Sequence, residues 1–277
     1  MARNSKVIRA DADNRPMTEE EARLAEEARA YAASDADYQQ YEETAETEDL
    51  GPAPTVGEAI ALLEASGDAE RAAQAAEYHK TPRRYLGVAA PLIEDQVRLW
   101  RAQATAEERL ALARGLWDSD IHEAKIAAAK LMTQARIRPD DAAWDLIRGW
   151  VGDLDTWAIA DAVSAAAARR VTADLTRLDG IADWLASDNL WTRRTALTAT
   201  LPLTRARHPD AQESAARDRI LDWCATLAPD RNWFIQKAIA DWLSALAKRD
   251  PESVRRWLVE YGEDLKSFAR KDVTRKL

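Results

Sequence analysis

Thr55-Val56-Gly57-Glu58 and Thr105-Ala106-Glu107-Glu108 share one pattern, a threonine followed three residues later by a glutamate. With this spacing the threonine side chain caps a backbone N–H of the first helical turn while the glutamate reaches back to the N-cap residue, so each stretch predicts a helix start. Pro91 and Pro139 suit the first turns of further helices, and Pro251-Glu252 opens another acidic first turn. From Thr55 onward the chain therefore reads as a succession of helices.

About thirteen helices are predicted, with short loops between them. Short loops make consecutive helices antiparallel neighbours, and stacked pairs of such helices form an α-solenoid with one concave face. The eleven tryptophans recur near helix ends and favour repeated units, although no repeat of fixed period is evident and a globular bundle is the alternative. The predicted helices are 56–66, 68–80, 91–103, 106–117, 120–136, 140–151, 155–169, 173–186, 189–205, 212–227, 232–248, 251–261 and a short last one.

Composition excludes several classes of protein. The 277 residues include only nine Gly and two Phe, a mix that favours helix over sheet. Cys224 is the single cysteine, which rules out an intrachain disulfide framework and a cysteine-rich metal site, and fits a reducing cytoplasm. No apolar run approaches eighteen residues and no secretion signal opens the chain, so we expect a cytoplasmic protein that does not enter membranes.

Charge divides the chain into two predicted regions. Residues 1–50 hold 14 Asp and Glu against 6 Lys and Arg, a balance of −8 that leaves −1 of the total −9 for residues 51–277. We predict an acidic extension over 1–50, partly disordered or helical, and a helical-repeat domain over 51–277. The extension is either a solvated tail or an acidic arm that masks a basic groove and competes with nucleic acid.

The stretch from Asp155 to Asp161 carries the strongest indication of a ligand site. Trp157 and Asp161 lie four residues apart, so on a helix they share one face and offer an aromatic plane and a carboxylate to a single ligand. That combination suits a cationic substrate. The alternatives are a tryptophan that fills the core between helices and an aspartate that lies on the surface or pairs with an arginine.

Five blocks resemble the AlkD-like DNA alkylation repair enzymes, in the order of that family, the last of them made of two segments, Trp233 to Ile239 and Ala247 to Pro251. The segment Tyr78-His79-Lys80-Thr81-Pro82-Arg83-Arg84-Tyr85-Leu86-Gly87-Val88-Ala89-Ala90-Pro91 resembles the family's entry segment. The likeness covers roughly residues 70–277. The later segments are Trp117 to Asp120 with His122-Glu123, Trp157 to Asp161, Ala186 to Arg194, Trp233 to Ile239, and Ala247 to Pro251.

This resemblance implies a fold of HEAT-like repeats, with antiparallel helix pairs and a concave basic face. It also implies a monofunctional DNA glycosylase that removes N3- and N7-alkylated purines from duplex DNA without a metal or organic cofactor. Asp161 would stabilise the oxocarbenium-like sugar and orient the attacking water, and Trp157 would pack on the deoxyribose. Arg194 would hold the adjacent phosphate, with Tyr78 beside these groups. The family engages the lesion through the backbone rather than by extruding the base.

One position departs from the family's pattern. After Gln236-Lys237-Ala238-Ile239 the family usually has a small residue and a second active-site tryptophan, whereas this chain reads Ala240-Asp241-Trp242. Trp242 is one residue late, a rotation of about 100° around a helix, which would normally point it elsewhere. Either Asp241 supplies a second carboxylate, or the glycosylase activity is altered or lost.

The sequence also predicts a DNA-binding face built from basic residues, because contacts to DNA phosphates need only a local array of cations, whatever the total charge of the chain. The alternative is that these basic residues are ordinary solvated side chains. The three histidines have no metal-ligand spacing, so we do not expect a zinc site. We expect the protein to be a monomer. The competing function is a non-enzymatic helical-repeat module that binds DNA or protein. The predicted cations are Lys80, Arg83, Arg84, Lys125, Lys130, Arg193, Arg194, Lys237, Lys266, Arg270 and Lys271, and Trp191, Asp241 and Trp242 join them as substrate contacts.

Overall fold

The computed structural model describes residues 50–134 and 137–277, so the predicted acidic extension lies outside the described residues except for Leu50. This part of the chain contains thirteen α-helices and no strand, and the all-α prediction is confirmed. The helices are α1 (Val56–Ala65), α2 (Ala69–His79), α3 (Ala90–Gln103), α4 (Ala106–Asp118), α5 (His122–Leu131), α6 (Asp141–Val151), α7 (Trp157–Ala173), α8 (Leu178–Ala182), α9 (Leu190–Thr198), α10 (Ala211–Leu227), α11 (Trp233–Ala247), α12 (Pro251–Tyr261) and α13 (Ser267–Thr274).

Both predicted capping boxes are present. Thr55 accepts a hydrogen bond from the backbone N–H of Glu58, and the Glu58 carboxylate accepts one from the N–H of Thr55. Thr105 and Glu108 repeat this arrangement at the start of α4. Local sequence therefore sets where these two helices begin.

Alternate helices form two stacked rows. In the first row α3, α5, α7, α9, α11 and α13 each pack on the next member. In the second row α4 packs on α5, α6 on α7, and α10 and α12 on α11. The chain is thus an α-solenoid, in which each unit buries its apolar side against its neighbours.

Tryptophans fill the space between the rows, with three exceptions. Eight of the eleven are buried, among them Trp100 and Trp242, whose side chains have no exposed area. The three half-buried ones are Trp157, Trp191 and Trp233, which occupy the first or second positions of α7, α9 and α11. These three helices are consecutive in the first row, so their starts define one edge of the solenoid.

Most predicted helix boundaries agree with the structure to within one residue, and the largest difference follows α7. That helix continues to Ala173, four residues beyond its predicted end, and the predicted helix 173–186 is instead a 3-10 turn, the short α8 and a second 3-10 turn. Asp174 causes the break because its side chain accepts from the N–H of Thr176 at 3.0 Å and starts a new turn.

Two more predicted helices are too long. The predicted helix 189–205 ends as α9 at Thr198, because Pro202 has no N–H to continue it, and a 3-10 turn covers Leu201–Thr204. The predicted helix 120–136 is confined to His122–Leu131, and its last two residues lie outside the described residues. In the two described ranges, no helix combines the length and apolarity that a membrane crossing requires.

Candidate active site

Trp157 and Asp161 lie on one side of α7. Thr156 caps this helix by accepting from the N–H of Ile159 at 3.4 Å, which makes Trp157 its first residue and puts Asp161 one turn later. Both side chains are half-buried, whereas Ile159 and Ala160 between them are buried in the core. The indole and the carboxylate therefore lie at the edge of the solenoid, on the side of α7 that faces away from the core.

Arg194 of α9 forms an ion pair with Asp161. Its Nη1 donates to Asp161 Oδ1, with exposed fractions of 9% for the Arg194 side chain and 24% for that of Asp161. The two helices are also joined by the hydroxyls of Ser164 and Thr198, 2.7 Å apart. Because both residues sit on packed helices rather than on loops, the carboxylate has a fixed position.

A cluster of aromatic and imidazole rings surrounds Trp157. The ring of His79 lies 6.0 Å from the indole and 4.7 Å from the ring of His122. Tyr78 lies 4.9 Å from His79, and Tyr85 lies 4.8 Å from His122. His79 thus contacts both Tyr78 and Trp157, two of the residues that the sequence predicts for the site.

Both histidines of this cluster are held in the neutral form. Burial, with a smaller contribution from the charge of Arg83, lowers the pKa of His79 to about 4. Burial also lowers the pKa of His122 well below its usual value, and His79 and Arg83 add to the effect. At neutral pH the two imidazole rings of this cluster are therefore uncharged.

The segment after α2 is folded so that this cluster forms. Lys80 ends α2 in the left-handed conformation at φ 55°, and Gly87 has φ 73° with no space for a Cβ, which would lie 2.1 Å from the Asp68 carbonyl oxygen. The buried carboxylate of Glu123 accepts from the N–H groups of Leu86 and Gly87 at 2.9 and 2.7 Å. These contacts hold the segment against α5, which carries His122.

The side chain of Arg83, a predicted DNA contact, is directed at carboxylates of the chain rather than at the surface. This side chain is only 7% exposed and donates two hydrogen bonds to Asp155 at 3.0 and 2.7 Å, and its Nη2 also lies 3.1 Å from Asp120 Oδ1. A buried guanidinium needs such partners, and the loop before α7 supplies one of them. Arg83 braces the residue that precedes the N-cap of α7, and so it supports Trp157 indirectly.

Trp242, a predicted substrate contact, lies in the core instead. Trp242 is fully buried in α11, because its neighbour Asp241 takes the half-exposed position and the next residue on a helix points about 100° away. Asp241 forms an ion pair with Lys237 one turn earlier. The position of the family's second tryptophan thus holds a carboxylate paired with an ammonium group.

Most of the predicted phosphate-binding cations are engaged with carboxylates of the chain. Arg193 pairs with Asp230 at 3.0 Å, and Lys125 is buried between Asp120 at 3.2 Å and the ring of Trp117 at 4.4 Å. Lys125 therefore faces the interior rather than a ligand. Further ion pairs join Arg84 to Glu64, Lys130 to Glu94 and Arg270 to Glu263, while Lys80 and Lys271 are exposed and Lys266 is half-buried.

A second aromatic group follows the edge beyond Arg194. Trp191, Phe234, Trp233 and Phe268 form a chain of neighbouring rings, of which sequence reasoning singled out only Trp191 as a contact. A sequence signal exists, because Asn189 and Asn232 each cap a helix whose second residue is aromatic. Phe268 has no such asparagine and only the structure brings it to the group. Within residues 50–134 and 137–277, no cluster of three or more His, Cys, Asp or Glu side chains could hold a metal ion.

Comparison with known proteins gives one family. The DNA alkylation repair enzyme family matches residues 59–277, which is most of the chain. None of the curated proteins compared with the chain matches it.

Solved structures share the fold. A predicted DNA alkylation repair enzyme from Enterococcus faecalis has a TM-score of 0.64 at 22% identity, covering 76% of this chain and 97% of its own. AlkD2 from Streptococcus mutans has a TM-score of 0.55 at 18% identity, covering 80% and 97%. The protein smu.31 from Streptococcus mutans UA159 has a TM-score of 0.53 at 18% identity, covering 74% and 98%. At these identities the likeness concerns the fold.

Proposed function

The chain belongs to the DNA alkylation repair enzyme family, and on this premise we propose that it is a monofunctional DNA glycosylase that releases N3- and N7-alkylated purines from duplex DNA. It acts as a monomer without a metal or organic cofactor. One observation carries the proposal: Trp157 and Asp161 share the half-exposed side of α7. Most other tryptophans of the chain are buried in the core.

The chemistry requires little more than a placed negative charge. Alkylation at N3 or N7 leaves the base positively charged, so the base departs readily and positive charge develops on the sugar. A carboxylate fixed in a partly dry site stabilises that charge without having to reorganise. Asp161 has this character, because it is mostly buried and held by a helix-borne arginine. It also accepts a proton from the water that attacks the sugar.

Trp157 packs on the deoxyribose of the damaged nucleotide. An indole face attracts the cationic sugar of the transition state in addition to its apolar contact. The neutral rings of His79 and His122 behind it support this role, because a charged imidazolium at that place would repel the developing cation.

Arg194 has two functions in this proposal. Before DNA binds, its guanidinium keeps the Asp161 carboxylate oriented. A guanidinium has five N–H donors, so the same side chain also holds the phosphate beside the lesion. Arg193, Lys237 and Lys271 contact phosphates further along the strand, and those paired with carboxylates exchange them for phosphates. Tyr78, Lys80, Arg84 and Arg270 complete the proposed DNA contacts.

One observation favours the second candidate, a module that binds DNA without releasing bases. The ion pair of Asp241 with Lys237 occupies the position where the related enzymes carry an aromatic ring, and Trp242 is in the core. The site then has one indole on the sugar instead of two. Binding through cations and Trp157 would persist in such a module, whereas turnover would not.

Release of free base distinguishes the two functions. Duplexes that contain N7-methylguanine or N3-methyladenine are incubated with wild type and with Asp161→Asn, and released base is quantified above spontaneous loss. We expect wild type to release base and Asp161→Asn to be slower by about a hundredfold or more. Equal release by the two proteins would exclude the role of Asp161, and binding without release by wild type would establish the module.

Asp140→Asn is the matched control. Asp140 also pairs with arginines, Arg170 and Arg177, and its side chain is 21% exposed against 24% for Asp161, but it lies before α6, away from the site. The control loses two ion pairs where Asp161→Asn loses one. We therefore expect destabilisation at least as large as that of Asp161→Asn, with unchanged base release.

A further inference from the structure

Four aromatic side chains form a continuous strip along the starts of three helices. Trp191 of α9 lies 4.7 Å from Phe234 of α11, Phe234 lies 5.2 Å from Trp233, and Trp233 stacks on Phe268 of α13 at 5.8 Å with 18° between the rings. We call these four residues the aromatic strip. It crosses three consecutive members of the first row.

All four rings are half-exposed. The chain buries eight other tryptophans almost completely, so the fold has room for large rings in its core. Aromatic surface left in water gives up stabilisation, and a contiguous exposed patch of it usually marks a binding surface. Trp191 and Phe268 also pack against the hydrophobic core, so the strip is a partly exposed platform anchored in the fold.

The strip ends beside two like charges. Lys266 immediately precedes α13, and its backbone N–H donates to Gln236 Oε1 at 2.6 Å, which fixes its place next to Phe268. Arg231 lies close by, with Nη1 donating to the Asp264 carbonyl oxygen at 2.9 Å. Burial and the charge of Arg231 lower the pKa of Lys266, and Asp230 opposes this. An anion at this place would relieve the repulsion between the two cations.

The strip also continues from the proposed active site. Trp191 and Arg194 lie three residues apart on α9, so they are neighbours on the helix surface. Arg194 joins α9 to Asp161. The strip therefore begins on the helix that carries Arg194 of the proposed active site.

We propose that the aromatic strip binds unpaired nucleotides of a DNA strand, with bases stacked on its rings and phosphates at Arg231 and Lys266. In a duplex the faces of the bases are covered by their neighbours, so stacking on a protein ring requires unpaired nucleotides. Rings that can stack on bases, with two cations at one end of the strip that can contact phosphates, match the two chemical components of a single strand. The inference rests on DNA as the substrate of the proposed function, but not on base release.

Binding to undamaged DNA tests the strip. Fluorescence anisotropy measures the affinity of the full chain for a duplex and for the same duplex with a single-stranded extension of about six nucleotides, at one salt concentration. We expect wild type to prefer the extended DNA by about tenfold or more, since each stacked base contributes that much in comparable proteins. Trp233→Leu and Phe268→Leu lose most of this preference, and Lys266→Gln weakens its salt dependence.

Tyr261→Leu is the control, because Tyr261 is also a half-exposed aromatic residue but belongs to α12 in the second row. It should keep the preference. Because the assay uses undamaged DNA, a failure of base release leaves this test intact. A second measurement replaces the leucine variants if they unfold. Photolysis of 5-iodouracil in the extension should crosslink to wild type at the strip, and mass spectrometry identifies the residue.

Equal affinity of wild type for the two DNAs overturns the proposal and leaves the strip to a protein partner. The same holds for a preference that survives in both leucine variants, or for crosslinks that fall only outside the strip.

Discussion

Arg194 donates a hydrogen bond to Asp161 across the contact between α9 and α7, so the carboxylate proposed to stabilise the sugar depends on a residue 33 positions later. The ion pair is mostly buried, and it joins two helices of the first row. Loss of either partner leaves a charge in a poorly solvated place, which costs more than the pair itself contributes.

Arg194→Gln should lower the free energy of unfolding by about 1 to 3 kcal/mol, the range for a hydrogen bond to a charged group. Base release should fall as well, since Asp161 loses its orientation. Denaturant unfolding and release assays on Arg194→Gln, Asp161→Asn and the double variant measure the coupling. If the two stability losses simply add, the residues do not act as a pair.

Trp157 and Trp242 should respond in opposite ways to substitution. Trp242→Ala creates a cavity in the core and should cost about 3 to 5 kcal/mol of unfolding free energy. Trp157→Ala removes a half-exposed ring and should lower the unfolding free energy by less. It should reduce base release more than Trp242→Phe, a milder change in the core, does. Thermal unfolding and release assays separate the effects. A release defect in Trp242→Phe without loss of stability would return Trp242 to the site.

Lys80 is a surface cation and Arg83 an internal one, so their substitution should have different effects. Lys80 is exposed, and Lys80→Asn suits its left-handed backbone, so this variant should fold normally and reduce the salt slope of DNA binding by about one. Arg83→Leu should instead destabilise the fold, because Asp155 and Asp120 lose their buried partner. Anisotropy titrations over a salt series measure the dependence of DNA affinity on salt. An Arg83→Leu variant that folded stably and changed this dependence would contradict the assignment.

The histidine cluster predicts a loss of stability in acid. The pKa of His79 is about 4 in the folded chain and near 6.5 when unfolded, so between these values the unfolded chain binds more protons and stability falls as pH falls. From pH 7 to 4.5 this residue alone should cost about 2 to 3 kcal/mol. His79→Phe should flatten the pH dependence of denaturant unfolding, whereas His208→Gln, at an exposed histidine, should not. Parallel curves for wild type and His79→Phe would contradict the prediction.

Helices and their starts could be predicted from the sequence because the interactions that set them are local. The capping boxes of Thr55 and Thr105 involve residues three apart, and the shared side of Trp157 and Asp161 follows from one helical turn. Pro202 and Asp174 show where this reasoning was incomplete, since a proline and a side-chain cap ended helices that apolar periodicity would have continued.

By itself, then, the sequence determined an all-α repeat chain and the pairing of one indole with one carboxylate on a helix, because both depend on neighbours along the chain. Tertiary structure alone decided which cations pair with carboxylates of the chain and which aromatic rings contact one another. Arg83 finds Asp155 72 positions away, and Phe268 joins Trp233 from another helix. Such contacts arise only when the rows pack, since burial forces distant charges to pair and brings the starts of alternate helices to one edge.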